Sequence, residues 1–387
     1  MNAINYIDPK VQITLERGII VKLTTYFIDF LKNIRLTKNQ VDDLIRGHKT
    51  LRDRLNNDEE LSKVIVSTFL QGSYRRSTAV KPKGGQRSDV DVIVVTKLDE
   101  DEYTPDEAMK VFEPFMEKHY EGKYRFQGRS IGIELSYVDL DVVITSAPSE
   151  AEEGVLQAES IEASSSIEQY EELIRSMAPD QYTREINEFL NFASNESEWK
   201  TSPLRIPDRN AEEWKDTHPL EQIRWTWNKN SSCNGNYINV VKALKWWKRV
   251  NDPDTHPKSY PLEHLIGQVC PDGITSVAEG ITLSLETIVK DYPEKPFLAD
   301  HGVPEHDVFA RVTEEEYEAF YGKVVTAAAL AREAYDCDTV KESADKWREL
   351  LGNEFPPPPD SNSNSTTDSS GFSKRTETTT PGGGRFA

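Results

Sequence analysis

The feature that most constrains the fold is a short apolar strand that begins with two aspartates. Residues 89–95 have the sequence DVDVIVV. Side chains alternate between the two faces of a strand, so Asp89 and Asp91 point one way while the valines between and after them point into the opposite layer. A buried strand disfavours charge, so something at this edge of the sheet must offset the desolvation of two carboxylates.

A divalent cation is the species that such a pair would attract. Two neighbouring carboxylates repel each other unless a cation lies between them, and oxygen ligands on a rigid strand suit Mg²⁺. A later predicted strand or hairpin arm, residues 131–145, carries Asp139 and Asp141. Pairing could bring one of them beside Asp89 and Asp91, and three carboxylates would hold two Mg²⁺ (or Mn²⁺) ions roughly 3.5–4 Å apart. The alternative is that Asp89 and Asp91 only cap a strand end.

The segment before the strand favours the metal site over the strand cap. GSYRRST, residues 72–78, places Gly72 and Ser73 about fifteen residues ahead of Asp89. Glycine lets the backbone approach a ligand closely, and a serine with exposed amides can bind phosphate oxygens. The adjacent Gln71 either contributes to this turn or forms a hydrogen bond at the edge of the core. The turn is not a Walker A loop, because GxxxxGK[ST] does not occur in the sequence.

The order of the predicted elements divides the chain into three parts. Helices and strands alternate in the front part, which is typical of α/β organisation. The predicted elements there are a mostly helical region at 9–70, strands at 90–96 and 131–145, and a helix at 105–120. Helices alone are predicted in the rear part, at 219–250, 260–290 and 313–351. The predicted boundaries are therefore a front domain at 1–200, a helical domain at 201–354 and a disordered tail at 355–387, which is rich in Pro, Ser, Thr and Gly.

Composition excludes several classes of protein. The net charge of -20 repels phosphate backbones and argues against a protein that grips long DNA or RNA. No run of about 18 apolar residues occurs, so no membrane span is expected. Three widely spaced cysteines and the lack of a secretory signal predict a cytoplasmic protein. A local basic cleft for small phosphates remains compatible with this charge.

These motifs together resemble the polymerase-β-like nucleotidyltransferases, and more closely the CD-NTases, the bacterial enzymes similar to cyclic GMP–AMP synthase. The resemblance covers nearly the whole chain and favours clade D of that family. It is carried by FLQGSYRRSTAVKPKG, SDVDVIVVTKLD, QGRSIGIELSYVDLDVVITSAPSE, HPLEQIRWTWNKN, YINVVKALKWWKR, SYPLEHLIG and the terminal GRFA. It implies an α+β fold, in which a nucleotidyltransferase lobe with a mixed sheet packs against an all-helical lobe, with the active site in the cleft between them.

The resemblance also implies roles for individual residues of the front lobe. Asp89, Asp91 and Asp141 match the catalytic carboxylates that bind two metal ions. Asp139 is the runner-up for the third position, and more plausibly supports the site from behind the ligands. The Gly-Ser turn, with Gln71 beside it, would contact the triphosphate of a nucleotide.

Three residues of the rear lobe match the nucleotide-binding positions of the family. Lys245 in ALKWW would bind the donor triphosphate, although its spacing alone equally fits the solvated basic face of an amphipathic helix. Ser259 would form hydrogen bonds with the phosphates, and Tyr260 would stack on the donor base. The alternative for Tyr260 is a packing role where a helix begins.

The resemblance implies a cyclic oligonucleotide synthase that uses ATP and GTP, releases pyrophosphate and makes a second messenger, such as cyclic AMP-AMP-GMP, in CBASS anti-phage defence. A HORMA-type activator is a possible partner. An operon-encoded E1/E2-like ligase is another, and would join the C-terminal Ala387 to targets. The alternative function is a nucleotidyltransferase that adenylylates a small molecule or an RNA end.

Overall fold

The centre of the fold is a five-stranded sheet with the strand order β1-β2-β5-β4-β3. The structure, a computed structural model, describes residues 23–146, 203–251 and 255–358. The five strands are β1 (Ile65–Gln71), β2 (Asp89–Thr96), β3 (Tyr124–Phe126), β4 (Ile131–Glu134) and β5 (Asp139–Ile144). Strand β2 pairs antiparallel with β1 and parallel with β5, which confirms the predicted mixed sheet.

Helices cover one face of this sheet and complete what we call the sheet lobe. They are α2 (Lys38–Asn56), α3 (Leu61–Val64), α4 (Gly72–Arg75), α5 (Pro105–Lys110) and α6 (Glu113–Tyr120). Helices α2 and α5 both begin at a threonine capping box, which satisfies backbone N–H groups that the helix itself leaves unpaired. Val90, Val92 and Val94 are fully buried against this layer, so the aspartates that alternate with them lie on the other face.

The first strand corrects the sequence analysis. Residues 61–70 were predicted to continue a helix, but only Leu61–Val64 is helical and Ile65–Gln71 is β1. The segment IVSTFLQ is rich in β-branched and aromatic residues, which favour a strand. Its pairing with β2 joins segments far apart in the sequence, which local helical spacing does not reveal.

A two-stranded hairpin, β6 (Leu204–Asp208) with β7 (Glu213–Thr217), covers the far end of the other face. Leu204 of this hairpin packs with Phe69, Ile93 and Val95 of the sheet. The hairpin falls in the range predicted to be entirely helical, yet it extends the sheet lobe. The predicted boundary at residue 200 and the acidic segment before it lie outside the described residues.

A second core holds the helical lobe together. Its helices are α1 (Thr24–Ile34), α7 (Pro219–Ser232), α8 (Tyr237–Asn251), α9 (Ser259–Val269), α10 (Val277–Asp291), α11 (Glu314–Asp336) and α12 (Val340–Leu351). The N-terminal helix belongs here and not to the sheet lobe, because the Phe27 ring packs edge-on against Trp347 with centroids 5.1 Å apart. None of the helices in the described part of the chain is long and apolar enough to cross a membrane.

Candidate functional site

Four aspartates form two neighbouring cross-strand pairs where β2 and β5 begin. The parallel register places Asp89 opposite Asp139 and Asp91 opposite Asp141, so all four side chains project from one face of the sheet. Burial, followed by the charges of Asp89 and Asp141, raises the pKa of Asp91 to about 7. Burial is also the main cause of the raised pKa of Asp141. This edge of the sheet therefore carries more negative charge than the protein itself neutralises.

The two aspartates of β5 have different partners. Arg87 Nε donates to Asp139 Oδ1 at 2.6 Å, so a cation of the protein already pairs with that carboxylate. The Oδ1 atom of Asp141 instead accepts from Ser130 Oγ and Gln127 Nε2, both at 3.2 Å. Neutral donors leave the charge of Asp141 available for a ligand, which supports Asp141 over Asp139 as the third carboxylate.

The Gly-Ser turn follows β1 directly and meets the second aspartate. Gly72 has a φ of 78° and begins the single turn α4. A Cβ on this residue would lie 1.8 Å from Asp91 Oδ2, so the glycine makes room for a carboxylate of the protein itself. Ser73 lies at the adjoining wall of the cleft. The observed close approach is to a carboxylate of the protein, and the predicted contact of Gly72 with a triphosphate stays a prediction.

A cleft of about 540 Å³ separates the sheet lobe from the helical lobe at this point. Most of the predicted residues line it, namely Gln71, Gly72, Ser73, Asp89, Asp91, Lys245, Ser259 and Tyr260. Asp139 faces a neighbouring cavity of about 390 Å³ that shares Ser73, Asp89, Lys245 and Ser259 with the cleft. Asp141 lines neither cavity, because its carboxylate is directed toward Ser130 and Gln127. Ala387 lies outside the described residues.

The helical lobe contributes a buried lysine to the wall opposite the aspartates. Lys245 is only 6% exposed, as is expected for a ligand group and not for a solvated basic face. Burial lowers the pKa of Lys245, while the charge of Glu263 opposes that change. Tyr260 OH donates to Asp300 Oδ2 at 2.5 Å, which fixes the ring at the edge of the cleft. Beside the aspartates, the buried Oε1 atom of Gln71 has no hydrogen-bond partner among the described residues. An acceptor that binds a ligand would be unpaired in this way when the ligand is absent.

The donor set fits a hard divalent cation. All the acidic groups at this edge are carboxylates, the ligands that Mg²⁺ and Mn²⁺ prefer. Burial, followed by the charges of Asp89 and Asp141, raises the pKa of Asp91 despite the opposing charge of Arg76, so an added cation would stabilise its ionised form. As they stand, no three acidic, His or Cys side chains within the described ranges form a ready-made ion site. Asp141 would complete the set through its second carboxylate oxygen, because it is the register partner of Asp91 and its Oδ1 atom can keep its bonds to Ser130 and Gln127.

Comparison with known proteins decides the family. Residues 21–148 match the Second Messenger Oligonucleotide or Dinucleotide Synthetase domain. The chain is 47% identical over 352 residues to the cyclic AMP-AMP-GMP synthase of Enterobacter hormaechei subsp. hoffmannii, which covers 87% of this chain and 92% of the relative. The chain belongs to the CD-NTase family. This CD-NTase is an enzyme, a nucleotidyltransferase, as the sequence analysis predicted.

Other relatives agree with this assignment. A cyclic AMP-AMP-AMP synthase from an Acinetobacter species is 31% identical to this CD-NTase over 343 residues, covering 85% of this chain and 84% of the relative. The structure of the Bradyrhizobium diazoefficiens CD-NTase CdnG in complex with GTP superposes with a TM-score of 0.59 at 11% identity, over 85% of this chain and 94% of that one. The structural similarity confirms the predicted α+β fold of two lobes.

The sequence analysis missed a residue at the centre of the cleft wall. Glu263 of α9 is 4% exposed and lies between Arg76 of the sheet lobe and Lys245 of the helical lobe. Residue spacing could not predict the contact between Arg76 and Glu263, because 187 residues separate them. The available signal was a glutamate inside an apolar helix, SYPLEHLIG, where a buried charge requires a partner.

Proposed function

We propose that this CD-NTase joins ATP and GTP into a cyclic trinucleotide, cyclic AMP-AMP-GMP, with release of pyrophosphate. One observation carries the proposal: Asp89 and Asp91 of the sheet lobe face Lys245, Ser259 and Tyr260 of the helical lobe across one cleft, with two further aspartates paired beside them on β5. Such a cleft is built for a triphosphate, since it offers metal ligands on one side and a cation with a hydroxyl on the other. The named product follows from the relative that is 47% identical.

In the proposed reaction, the ribose hydroxyl oxygen of one nucleotide attacks the α-phosphorus of another. The new P–O bond forms as the bond to the pyrophosphate oxygen breaks, and the hydroxyl proton passes to the carboxylate set. Asp89, Asp91 and Asp141 would hold two divalent ions, which supply positive charge to the reacting phosphates. Lys245 and Ser259 bind the triphosphate, and the Tyr260 ring orients the base. Repeating the step twice, the last time within one molecule, closes the ring.

The choice of bases depends on the walls of the cleft and not on the carboxylates. The relative at 31% identity makes a cyclic AMP-AMP-AMP, while the one at 47% makes cyclic AMP-AMP-GMP. Carboxylates that hold metal ions act on phosphates and hydroxyls, so they do not distinguish adenine from guanine. The higher identity, over a similar share of the chain, favours one guanine in the product.

Labelled nucleotides test this function. The protein is incubated with Mg²⁺ or Mn²⁺ and all four nucleoside triphosphates, one carrying an α-phosphorus label at a time, and then with phosphatase. We expect phosphatase-resistant label from ATP and GTP in a two-to-one ratio, none from CTP or UTP, and none with Asp89→Asn/Asp91→Asn. Label that appears only on an added small molecule or RNA end would replace the proposal with the alternative transferase.

The cellular setting is part of the same proposal. A messenger synthase of this family would act in the cytoplasm, and its product would activate an effector encoded in a CBASS operon. The C-terminal segment of this chain resembles that of clade D members. A HORMA-type activator and an E1/E2-like ligase acting at Ala387 are the partners proposed from the resemblance. Adding residues after Ala387 tests the ligase, because conjugation in the native operon should then stop.

A further inference from the structure

A single carboxylate bridges the two lobes inside the cleft wall. Glu263 Oε1 accepts from Arg76 Nε at 2.8 Å, and its Oε2 atom accepts from Thr78 Oγ1 at 2.8 Å. Both donors follow the Gly-Ser turn of the sheet lobe. The same Oε2 atom lies 3.4 Å from Lys245 Nζ, on the neighbouring helix of its own lobe. Every charged side chain in this bridge is about 5% exposed, so water screens none of these contacts.

The charges in the bridge do not cancel. Arg76 and Lys245 are cationic and Glu263 is anionic, so the group keeps one positive charge. Burial opposes the ionised form of Glu263, yet the charges of Arg76 and Lys245 lower its pKa to about 2. Removing the carboxylate would leave two buried cations close together without a counter-ion, which costs far more than losing an exposed pair.

The bridge also extends to the candidate base-stacking residue. The Arg76 guanidinium lies 5.4 Å from the centroid of the Tyr260 ring. Tyr260 donates to Asp300, and Asp300 accepts from Gln222 Nε2 at 3.2 Å. Lys245 and Tyr260, two residues proposed to face a nucleotide from the helical lobe, are therefore held by contacts with Glu263 and Asp300 respectively.

We infer that Glu263 is a positioning residue for the transfer reaction: it fixes the Gly-Ser turn of the sheet lobe against α9 and holds the Lys245 ammonium where the triphosphate lies. This inference rests on the proposed function, because it takes the triphosphate as the ligand of Lys245. Glu263 itself does not contact the reacting atoms. Its effect on nucleotides passes through Lys245 and the Gly-Ser turn, so it should act chiefly on the β- and γ-phosphates, while the Tyr260 ring keeps its own bond to Asp300.

Binding without turnover tests the inference. The full chain is titrated calorimetrically in Mg²⁺ with α,β-methylene-ATP, which cannot react, and with AMP, which lacks the β- and γ-phosphates. Glu263→Gln keeps the shape of the side chain and removes its charge. We expect this variant to bind the ATP analogue at least about tenfold more weakly than the unchanged protein does, and to bind AMP within about twofold of the unchanged protein. Glu263→Asp keeps the charge and should recover part of the affinity. Glu354→Gln is the matched control, since Glu354 forms a half-exposed ion pair between the lobes with Lys81 at 2.9 Å.

A purely structural role gives a different result. Glu263→Gln would then unfold at a lower temperature, but the folded protein would bind both nucleotides as the unchanged protein does, and this would overturn the inference. An equal loss for the analogue and AMP would overturn it as well. If Glu263→Gln does not fold, Glu263→Asp decides by the same comparison, with about a threefold selective loss expected. Failure of the unchanged protein to bind the analogue at all would instead contradict the proposed function.

Discussion

The Oδ2 atom of Asp91 occupies the space that a side chain on Gly72 would need. A Cβ at Gly72 would lie 1.8 Å from that oxygen and 2.8 Å from the carboxyl carbon, and the residue has a φ of 78°. The turn proposed to contact the triphosphate and the carboxylate proposed to bind metal are thus packed directly against each other. A change in either one moves the other.

Gly72→Ala should disable the site more than it destabilises the fold. The Asp91 carboxylate must move by more than 1 Å, and misplacement on that scale costs on the order of 100-fold in rate. Gly122→Ala is the control, because Gly122 also has a positive φ of 67° but nothing lies within 4 Å of its added Cβ. Both variants should lose about 1–2 kcal/mol of unfolding free energy from the backbone alone. Equal activity in the two variants would contradict the role of the close contact.

Without metal, the contribution of Asp91 to the stability of the protein should fall as the pH rises toward neutrality. The pKa of Asp91 is raised from 3.8 to about 7, so the folded state holds a proton that the unfolded state releases. The stabilisation is complete below about pH 4 and is lost as pH passes through 7, by on the order of a few kcal/mol. Urea unfolding in EDTA at several pH values measures this effect.

Two changes should reduce that pH dependence. Asp91→Asn removes the titrating group, and Mg²⁺ replaces the proton as the neutralising charge at pH 8. If the slope of unfolding free energy against pH is the same with and without Asp91, the raised pKa of Asp91 among the four aspartates is wrong.

Asp141 and Asp139 should differ in what their loss costs. Asp141→Asn removes a proposed metal ligand, and we expect at least about a 100-fold lower rate of product formation. Asp139→Asn breaks an ion pair with Arg87 that is about one-third exposed, and we expect a loss within about tenfold. Rates at saturating Mn²⁺ compare the two variants. The reverse order would make Asp139 the third ligand.

Ser130→Ala should raise the Mg²⁺ concentration that the enzyme requires. Ser130 donates to Asp141 at 3.2 Å, and groups that orient a metal ligand typically change metal affinity 10- to 100-fold. The half-saturating Mg²⁺ concentration should therefore rise by about tenfold, while the rate at saturating Mg²⁺ recovers. A lower rate at every Mg²⁺ concentration would mean that Ser130 does more than orient the carboxylate.

The Tyr260 ring and its hydroxyl should contribute separately. Tyr260→Leu removes base stacking, which is worth about 1–3 kcal/mol per base, so KM for ATP should rise roughly tenfold or more. Tyr260→Phe keeps the ring and removes only the bond to Asp300, and KM should stay within about threefold. Steady-state kinetics with ATP as the varied substrate distinguishes the two. Equal effects would indicate that Tyr260 acts through the bond of its hydroxyl to Asp300 and not through its ring.

The parts of the fold that sequence could predict are those encoded by neighbouring residues. Alternation in DVDVIVV indicated both the strand and the common face of Asp89 and Asp91, and the register with β5 agrees. Hairpin β6–β7 was missed because LRIPD and EWKDT lack a clear apolar alternation and include Pro207. Tertiary packing on Phe69 and Ile93, and not local propensity, places that hairpin on the sheet.

The site shows the same division. Spacing and resemblance located Lys245, but its burial follows from the packing of α8 and could not be told from a solvated face. The preference for Asp141 over Asp139 depends on Arg87 and Ser130, whose side chains meet them only in the folded sheet. Glu263 was missed for the same reason, since the sequence around a single acidic residue in a helix does not show which residue pairs with it.

The hairpin that covers the sheet gives the two lobes another ionic contact, unlike the buried one at Glu263. Asp208 of the hairpin binds Arg129 of its own lobe at 2.8 Å, and Arg311 of the helical lobe approaches the same oxygen at only 4.0 Å with two-thirds of its side chain exposed. Dissolved salt screens an exposed contact and leaves a buried one nearly intact. Ionic strength should therefore weaken the contact of Arg311 while Arg76 and Glu263 stay paired, so that salt acts on the edge of the lobe interface and not on its centre.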